Sequence, residues 1–231
     1  MNQPGYKQFC PVAMAAEILC NRWTMVLMRE LVAGTTRFND LRRGVPKMSP
    51  TLLSQRLKEL EAVGVLERRE IRGEKGIFEY HLTEAGKDLR SVVEAMGFWG
   101  QKWVTSESSL NNLDPSLLMW DMRRNLNPSP LPPFRSVVQF IYQDLPQSKR
   151  NWWLVIEPTG EVDLCWSDPG FDVDLYVATD LRTMTAIWMG VTTVQKEREN
   201  MLLTGSQEIA STMQKWLGLS PFAVQRKLAV A

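Results

Sequence analysis

The sequence predicts an α+β protein built in two parts, and three observations carry that reading. The first hundred residues show helical periodicity punctuated by proline and glycine, followed by a two-stranded hairpin. Beyond residue 134 the apolar pattern switches to period two. Between them "NPSPLPPF" places four prolines in eight residues, which cannot stay helical and reads as a stiff linker. The expected divisions are 1–105, a helical unit with a hairpin; 106–133, a helix and Pro-rich linker; and 134–231, an α/β sandwich with a mainly antiparallel sheet.

The helices of the first part can be placed by their punctuation. Pro11 suits a first helical position after Cys10, and "VAMAAEILC" continues that helix. "WTMVLMRELVAG" is a second helix ended by Gly34, and "RFNDLRRGVP" a short third one stopped by Gly44 and Pro46. Ser49 caps a fourth helix, with Pro50 in its first turn. On a 3.6-residue wheel Leu52, Leu53, Leu57, Leu60 and Val63 share one face, and Thr51, Ser54, Gln55, Lys58 and Ala62 the other. Gly64 ends this helix; "VLERREI" and "IFEYHL" then read as two strands joined by "RGEKG". Helix, turn, helix and a hairpin with a basic tip is the layout of a winged helix-turn-helix.

Thr83 opens a long helix over about 84–104. Ala85, Leu89, Val92, Met96, Trp99 and Trp103 recur along it at alternating spacings of four and three, a heptad seam suited to a partner helix. Asp114 and Pro115 begin another helix, "DPSLLMWDMRRNL", ahead of the linker. In the second part "SVVQFIY" and "NWWLVIE" are strands. "EVDLCWSD" turns Val162, Leu164 and Trp166 inward, and "DVDLYVAT" does the same with Val173, Leu175 and Val177. Asp180 caps "LRTMTAIWMG", and "SQEIASTMQKWLGL" is a final amphipathic helix.

Composition narrows the function classes. Three cysteines and one histidine cannot supply a four-ligand Cys/His zinc site or a disulfide scaffold, so neither a metal nor another cofactor is expected. No nucleophile elbow or Gly-rich phosphate loop is present, and His81 lies in the first part, so no catalytic residues and no enzyme are expected. No apolar run approaches the roughly 20 residues that span a bilayer, and "MNQPGYKQF" lacks a signal-peptide pattern, so a cytoplasmic protein without a membrane partner is expected. Residues 1–105 hold 16 Lys+Arg against 12 Asp+Glu, and 106–231 hold 11 against 14, so a polyanion would favour the first part.

The stretch from "CPVAMAAEILCNRW" through "RFNDL" and "SPTLLSQRLKELEAVGVLERR" to "YHLTEAGKDL" resembles the HxlR family of bacterial transcription regulators, relatives of MarR, over residues 8–104. "CNRW" stands where that family usually has a glycine and lysine before the tryptophan. The resemblance implies a regulator on double-stranded DNA; the Ala85–Trp103 seam, helped by the first helix, predicts a homodimer, and its two-fold symmetry a near-palindromic operator. The side chains expected on DNA are Ser49, Thr51, Ser54, Gln55 and Lys58 of the fourth helix, with Arg72 and Lys75 of the hairpin tip. Of Arg68 and Arg69, one is expected to face DNA and the other to pair with a glutamate. Cys10 stands where a helix dipole favours a thiolate, and the resemblance implies redox sensing there; the alternative is a small packing residue.

The alternating acidic strands, "DLRTMTAIWMG" and "LLTGSQEIASTMQKWLGL" resemble the SCP2-like (sterol-carrier-protein-2) family over 134–219. That resemblance implies an apolar cavity, with Phe140, Trp166, Leu175, Val177, Ile187 and Trp188 as its expected lining and an apolar small molecule as effector. Six of the nine tryptophans lie in the second half, as core or as pocket wall. The leading expectation is a dimeric regulator whose C-terminal domain binds such a ligand or aids dimerisation. The alternative is a lipid carrier whose winged helix serves as a dimerisation module.

Overall fold

The structure, a computed structural model, describes residues 5–104, 107 and 110–224, and it divides into two units between Gly97 and Phe98. The first contains α1 (Pro11–Leu19), α2 (Thr24–Val32), α3 (Phe38–Gly44), α4 (Pro50–Ala62), β1 (Leu66–Glu70), β2 (Phe78–Leu82) and α5 (Glu84–Asp88). Helix α6 (Arg90–Trp103) starts in this unit, and the division falls inside it. Leu27, Met28 and Leu31 of α2, Leu41 of α3, and Leu53, Leu57 and Leu60 of α4 pack into one core with Val65, Leu66 and Val93. Each such side chain contributes roughly 1.5–3 kcal/mol by leaving water. Val63, expected on the buried face of α4, is 49% exposed, because the helix ends at Ala62 and Val63 is already its C-cap.

The hairpin pairs Leu66 with Leu82 through to Glu70 with Phe78. A third segment joins it that the sequence reading omitted: Arg37 bridges Glu79, and Tyr80 N–H donates to Thr36 O at 2.9 Å. The helix expected over 84–104 is broken. Leu89 N–H turns back to Gly86 O at 3.2 Å, and α6 begins at Arg90. Gly86 is pressed against the strand end, where a Cβ would stand 2.1 Å from Val65 O. At α2 the turn carrying "CNRW" puts Trp23 at φ +77°, a left-handed conformation costly for a residue with a side chain.

The second unit holds α7 (Pro115–Asn125), β3 (Ser136–Tyr142), α8 (Gln147–Arg150), β4 (Asn151–Ile156), β5 (Val162–Cys165), β6 (Leu175–Thr179), α9 (Leu181–Trp188), a 3₁₀ turn at Arg198–Asn200, β7 (Leu202–Gly205), α10 (Gln207–Ser211) and α11 (Met213–Trp216). Its sheet runs β5-β4-β3-β6-β7, antiparallel throughout except for the central β3–β6 pair. One face packs Val138, Phe140, Tyr142, Leu154, Leu175 and Val177 against side chains of α7, α9, α10 and α11. Tyr142 is wholly buried there; its hydroxyl donates to the Met119 sulfur at 3.0 Å, and burial, with Asp144 adding, pushes the phenol far above its ordinary range.

Several expectations for this unit need correction. The stretch read as helix and linker is built into the core: α7 supplies Leu118, Met119 and Met122, and Asn127 N–H donates to Trp216 O at 2.9 Å. The far face of the sheet is not simply polar, because Val137, Trp153 and Val155 form a second apolar cluster beneath Cys165 and Val173. Val173 joins that cluster because β6 starts only at Leu175, and Asp174 instead accepts from Val137 N–H through its carboxylate at 2.8 Å. The final helix is split at Thr212, whose hydroxyl bonds back to Glu208 O and Ile209 O. The caps read from sequence hold: Ser49, Thr83, Asp114 and Asp180 each accept from the first turn of their helix.

The Gly86 contact makes a stability prediction. Gly86→Ala should destabilise the first unit by about 1–3 kcal/mol, the usual cost of forcing extra volume into packed structure. Urea unfolding followed by tryptophan emission reads it; an unchanged midpoint would show that β1 and α5 can separate freely.

Candidate nucleic-acid interface

Helix α4 owes its position to its buried side. With Leu53, Leu57 and Leu60 facing the core, Thr51, Gln55 and Lys58 are left exposed and Ser54 half-buried. Pro50, Thr51, Ser54, Gln55, Lys58 and Glu59 line one open depression along this face. Ser49 is exposed just before it, but its hydroxyl accepts from Leu52 N–H at 3.2 Å, so it serves first as the cap. Ala62, at the far end of the face, is also exposed.

Glu59 is the member of this surface that the sequence reading missed. Gln55 Nε2 donates to Glu59 Oε1 at 2.8 Å, and Arg56 pairs with the other carboxylate oxygen. Burial pushes the Glu59 carboxyl up, but the hydrogen bonds from Gln55 and Arg56 and the Arg56 charge outweigh it and hold the group below its usual range. An anion therefore sits among the side chains expected on DNA, and it occupies the amide expected to read a base. The i, i+3 and i, i+4 spacings of Arg56 and Gln55 to Glu59 were the available signal.

At the hairpin tip Gly73 and Gly76 adopt φ +89° and +80°, and Gly76 N–H donates to Glu70 Oε1 at 2.7 Å, closing the turn. Arg72 and Lys75 are exposed, and neither has an ion-pair partner among the described residues. Arg37 instead is tied to Glu74 and Glu79. Of the two strand arginines, Arg69 makes the glutamate pair expected of one of them, with Glu67, while Arg68 stacks 4.3 Å above the Phe78 ring. Lys47, exposed two residues before the α4 cap, was also overlooked because it lies in the turn rather than on the helix wheel.

The remaining expected sites are scattered. Cys10 is the N-cap residue of α1, half-buried, with a free thiol and no side-chain cap bond. Phe140, Leu175, Val177, Ile187 and Trp188 do come together, each at most 4% exposed, in the main core of the second unit. Trp166 does not: β5 ends at Cys165, and Trp166 stands 60% exposed.

A family description, the HxlR-like helix-turn-helix, matches residues 18–108. The uncharacterized HTH-type transcriptional regulator YvaP of Bacillus subtilis (strain 168) is 34% identical over 119 residues, 51% of this chain and 99% of the relative. The chain belongs to the HxlR-like helix-turn-helix family. Two further HTH-type transcriptional regulators are similar: YdeP of the same strain, 36% identical over 41% of this chain and 73% of its own, and Rv3095 of Mycobacterium tuberculosis (strain ATCC 25618 / H37Rv), 31% identical over 54% and 88%. Among solved structures, the redox regulator HypR in its reduced form is 33% identical, over 40% of this chain and 91% of that one, with a TM-score of 0.38. In this HxlR-like unit α3 and α4 form the helix-turn-helix and the β1–β2 hairpin the wing, a DNA-binding module of transcription regulators.

Charge on this surface should be separable by mutation. Lys75→Ala should weaken binding to every duplex and reduce the magnitude of the log K against log salt slope by about 0.9, one phosphate contact. Glu59→Gln should strengthen binding to every duplex by removing an anion. Fluorescence anisotropy across a salt series measures both, and an unaltered slope for the lysine variant would remove the wing tip from the interface.

Proposed function

We propose that the protein is a homodimeric transcription regulator that lays α4 in the major groove of a near-palindromic operator, with Arg72 and Lys75 on the flanking backbone. The observation that carries this reading is the outward face of α4, where Thr51, Gln55 and Lys58 lie exposed; the wing tip adds two exposed cations free of ion pairs among the described residues. Thr51, Ser54, Gln55 and Lys58 have the reach and donor types for base edges and phosphates, and Ser49 caps the turn that delivers them. Gln55 must leave Glu59 to read a base, so recognition exchanges one hydrogen bond for another.

Dimerisation through α6 is supported by its seam. Val92, Met96, Trp99 and Trp103 are 42, 53, 63 and 41% exposed, an unusual row of large apolar groups in water. Helix α1 buries none of its residues and exposes Val12 and Met14, consistent with a supporting role. A two-fold pairing would set the two α4 helices about 34 Å apart, one turn of DNA.

For the second unit we propose the SCP2-like fold, supported by a mostly antiparallel five-stranded sheet covered by helices on one face. Its apolar effector would enter between sheet and helices, along Phe140, Leu175, Val177, Ile187 and Trp188. Cys10 is proposed as the oxidant-sensing thiol, on its position at the start of α1. Cys165 is the poorest competitor for that role, since burial and Asp163 push its thiol up.

Two measurements test the central reading. Gln55→Ala should cost about 1–3 kcal/mol of discrimination at one base step while leaving random-sequence binding intact. Equal losses on operator and random DNA would mean that α4 does not read bases. Trp99→Glu should convert a dimer to a monomer in sedimentation at micromolar concentration, and a wild-type monomer there would exclude the α6 seam.

A further inference from the structure

Helices cover one face of the sheet in the second unit, and the strand registers show what the other face carries. Val138 meets Leu154 and Phe140 meets Trp152 on the covered side, so Val137 and Val155 lie opposite each other on the open one. In the next row Trp153 is level with Cys165 and Gln139, and Gln139 with Tyr176. The row after that is Ile141, Ala178 and Leu202. A sheet face turned to water is ordinarily polar at such positions. Here Tyr176 and Leu202 are exposed instead. The loop from β5 to β6 adds exposed Trp166 and Phe171, and its Val173 packs on the cluster of Val137, Trp153 and Val155.

The charge beside this face has one sign. Residues 157–174 hold six Asp and Glu and no Lys or Arg, so the β5 side attracts cations. Arg135 answers Glu157, and Val137 N–H answers Asp174. Glu161, Asp163, Asp168 and Asp172 stand exposed with no ion-pair partner among the described residues. Arg135 shows what such a surface takes up. Its guanidinium lies 4.3 Å from the centre of the Phe171 ring, while Nε donates to Glu157 Oε1 at 2.8 Å. A guanidinium so placed gains from the ring and from the anion together. Nucleic acid and anionic lipid are repelled by the same carboxylates. Size bears on the occupant as well. Five strands about 4.8 Å apart span roughly 19 Å, the length of about six extended residues. With roughly 15 Å along the strands, the face measures on the order of 300 Å², well below the ~800 Å² a side of a stable subunit interface. A peptide segment fits it better than a second copy of the chain.

We propose that the open face of this sheet docks a short extended segment of a partner protein, basic at one end and apolar along the rest. The apolar residues lie across β3, β6 and β7, on Ile141, Tyr176 and Leu202. The basic end lies over β5 and the following loop, where Asp163, Asp168 and Asp172 meet its charge and Trp166 offers an aromatic face. Aromatic anchors with a charged margin are the usual make-up of a protein-binding patch. The docking step stands without DNA. Only its use, to bring a second protein to the regulator's operator, rests on the function proposed above.

The test uses the full chain and three dye-labelled, end-blocked hexapeptides followed by fluorescence anisotropy. These are Arg-Arg-Ser-Leu-Ser-Leu, its Glu-Glu counterpart, and a version with serine in place of both leucines. The first should bind saturably and more weakly as salt is raised. Each of the others should bind about tenfold more weakly, having lost either the charge match or the apolar contact. Asp163→Asn/Asp172→Asn should cost about threefold, the usual worth of exposed ion pairs. Glu199→Gln/Glu208→Gln, an equal loss of charge at exposed positions outside this face, should leave binding unchanged. Trp166→Ser should also cost about threefold, the usual worth of an exposed cation–π contact. Should that variant lower the thermal midpoint, the aspartate pair decides, since neither carboxylate holds a hydrogen bond among the described residues. Absence of saturable binding, equal losses in the two charge variants, or full binding by a stably folded Trp166→Ser would each overturn the site. Equal binding of the glutamate peptide would overturn the basic occupant. Self-association of the wild type that Trp166→Ser abolishes in sedimentation would make a second copy the occupant and overturn the peptide proposal.

Discussion

The buried carboxylate of Glu30 is the constraint on which the DNA-binding unit depends. It is fully removed from solvent at the α2 end, where an unpaired charge would be expensive. Arg29 answers it from the next residue, with Nη2 donating at 2.7 Å to Glu30 and at 2.7 Å to Gly44 O. The same carboxyl fills the space a side chain at 44 would need, since a Cβ there would lie 2.0 Å from it. One ion pair thus fixes where α2 stops, how closely α3 approaches it and where the chain is released towards α4. The outward aim of Thr51, Gln55 and Lys58 is a downstream result of that clamp.

Charge satisfaction is also what distinguishes working surface from scaffold in this unit. Arg37, Arg56 and Arg69 all meet carboxylates, and Arg68 lies on an aromatic ring. Arg72, Lys75 and Lys58 remain in water without such partners among the described residues. Those three exposed charges bear on a polyanion partner more directly than the net charge of the whole first part does.

Much of this was legible in the sequence because it depends on local signals. Proline after a small polar residue, glycine after an apolar run and a 3.6-residue stripe placed α1 to α4 and the Ser49 cap, and the glycine-bracketed "RGEKG" placed the wing. What escaped depends on distant partners. Arg37 joins the wing sheet through a residue 42 positions away, and Glu59 matters because of what Gln55 and Arg56 do with it in three dimensions. Trp166 and Val173 were misplaced by extending a period-two pattern past strand ends that are set by pairing, not by pattern. The Pro-rich stretch suggested a spacer, but composition alone could not reveal that Leu131 within it would pack against the core that holds Trp216.

The parallel β3–β6 pair at the centre of the second sheet bears on how the chain acquires its structure. Val138 meets Leu175 across 37 intervening steps of chain, whereas the hairpin that closes the first unit joins Leu66 to Leu82 across 16. Long loop closures must be completed before they are rewarded, so the β3–β6 pairing forms later than the β1–β2 hairpin. During synthesis the helix-turn-helix would emerge first and close early, while Phe140, Leu154 and Val177 wait for β6 before they can be covered. The interval in which those strands stand unpaired is the period when this protein is most exposed to misassembly, and chaperone demand should fall on its later-made half.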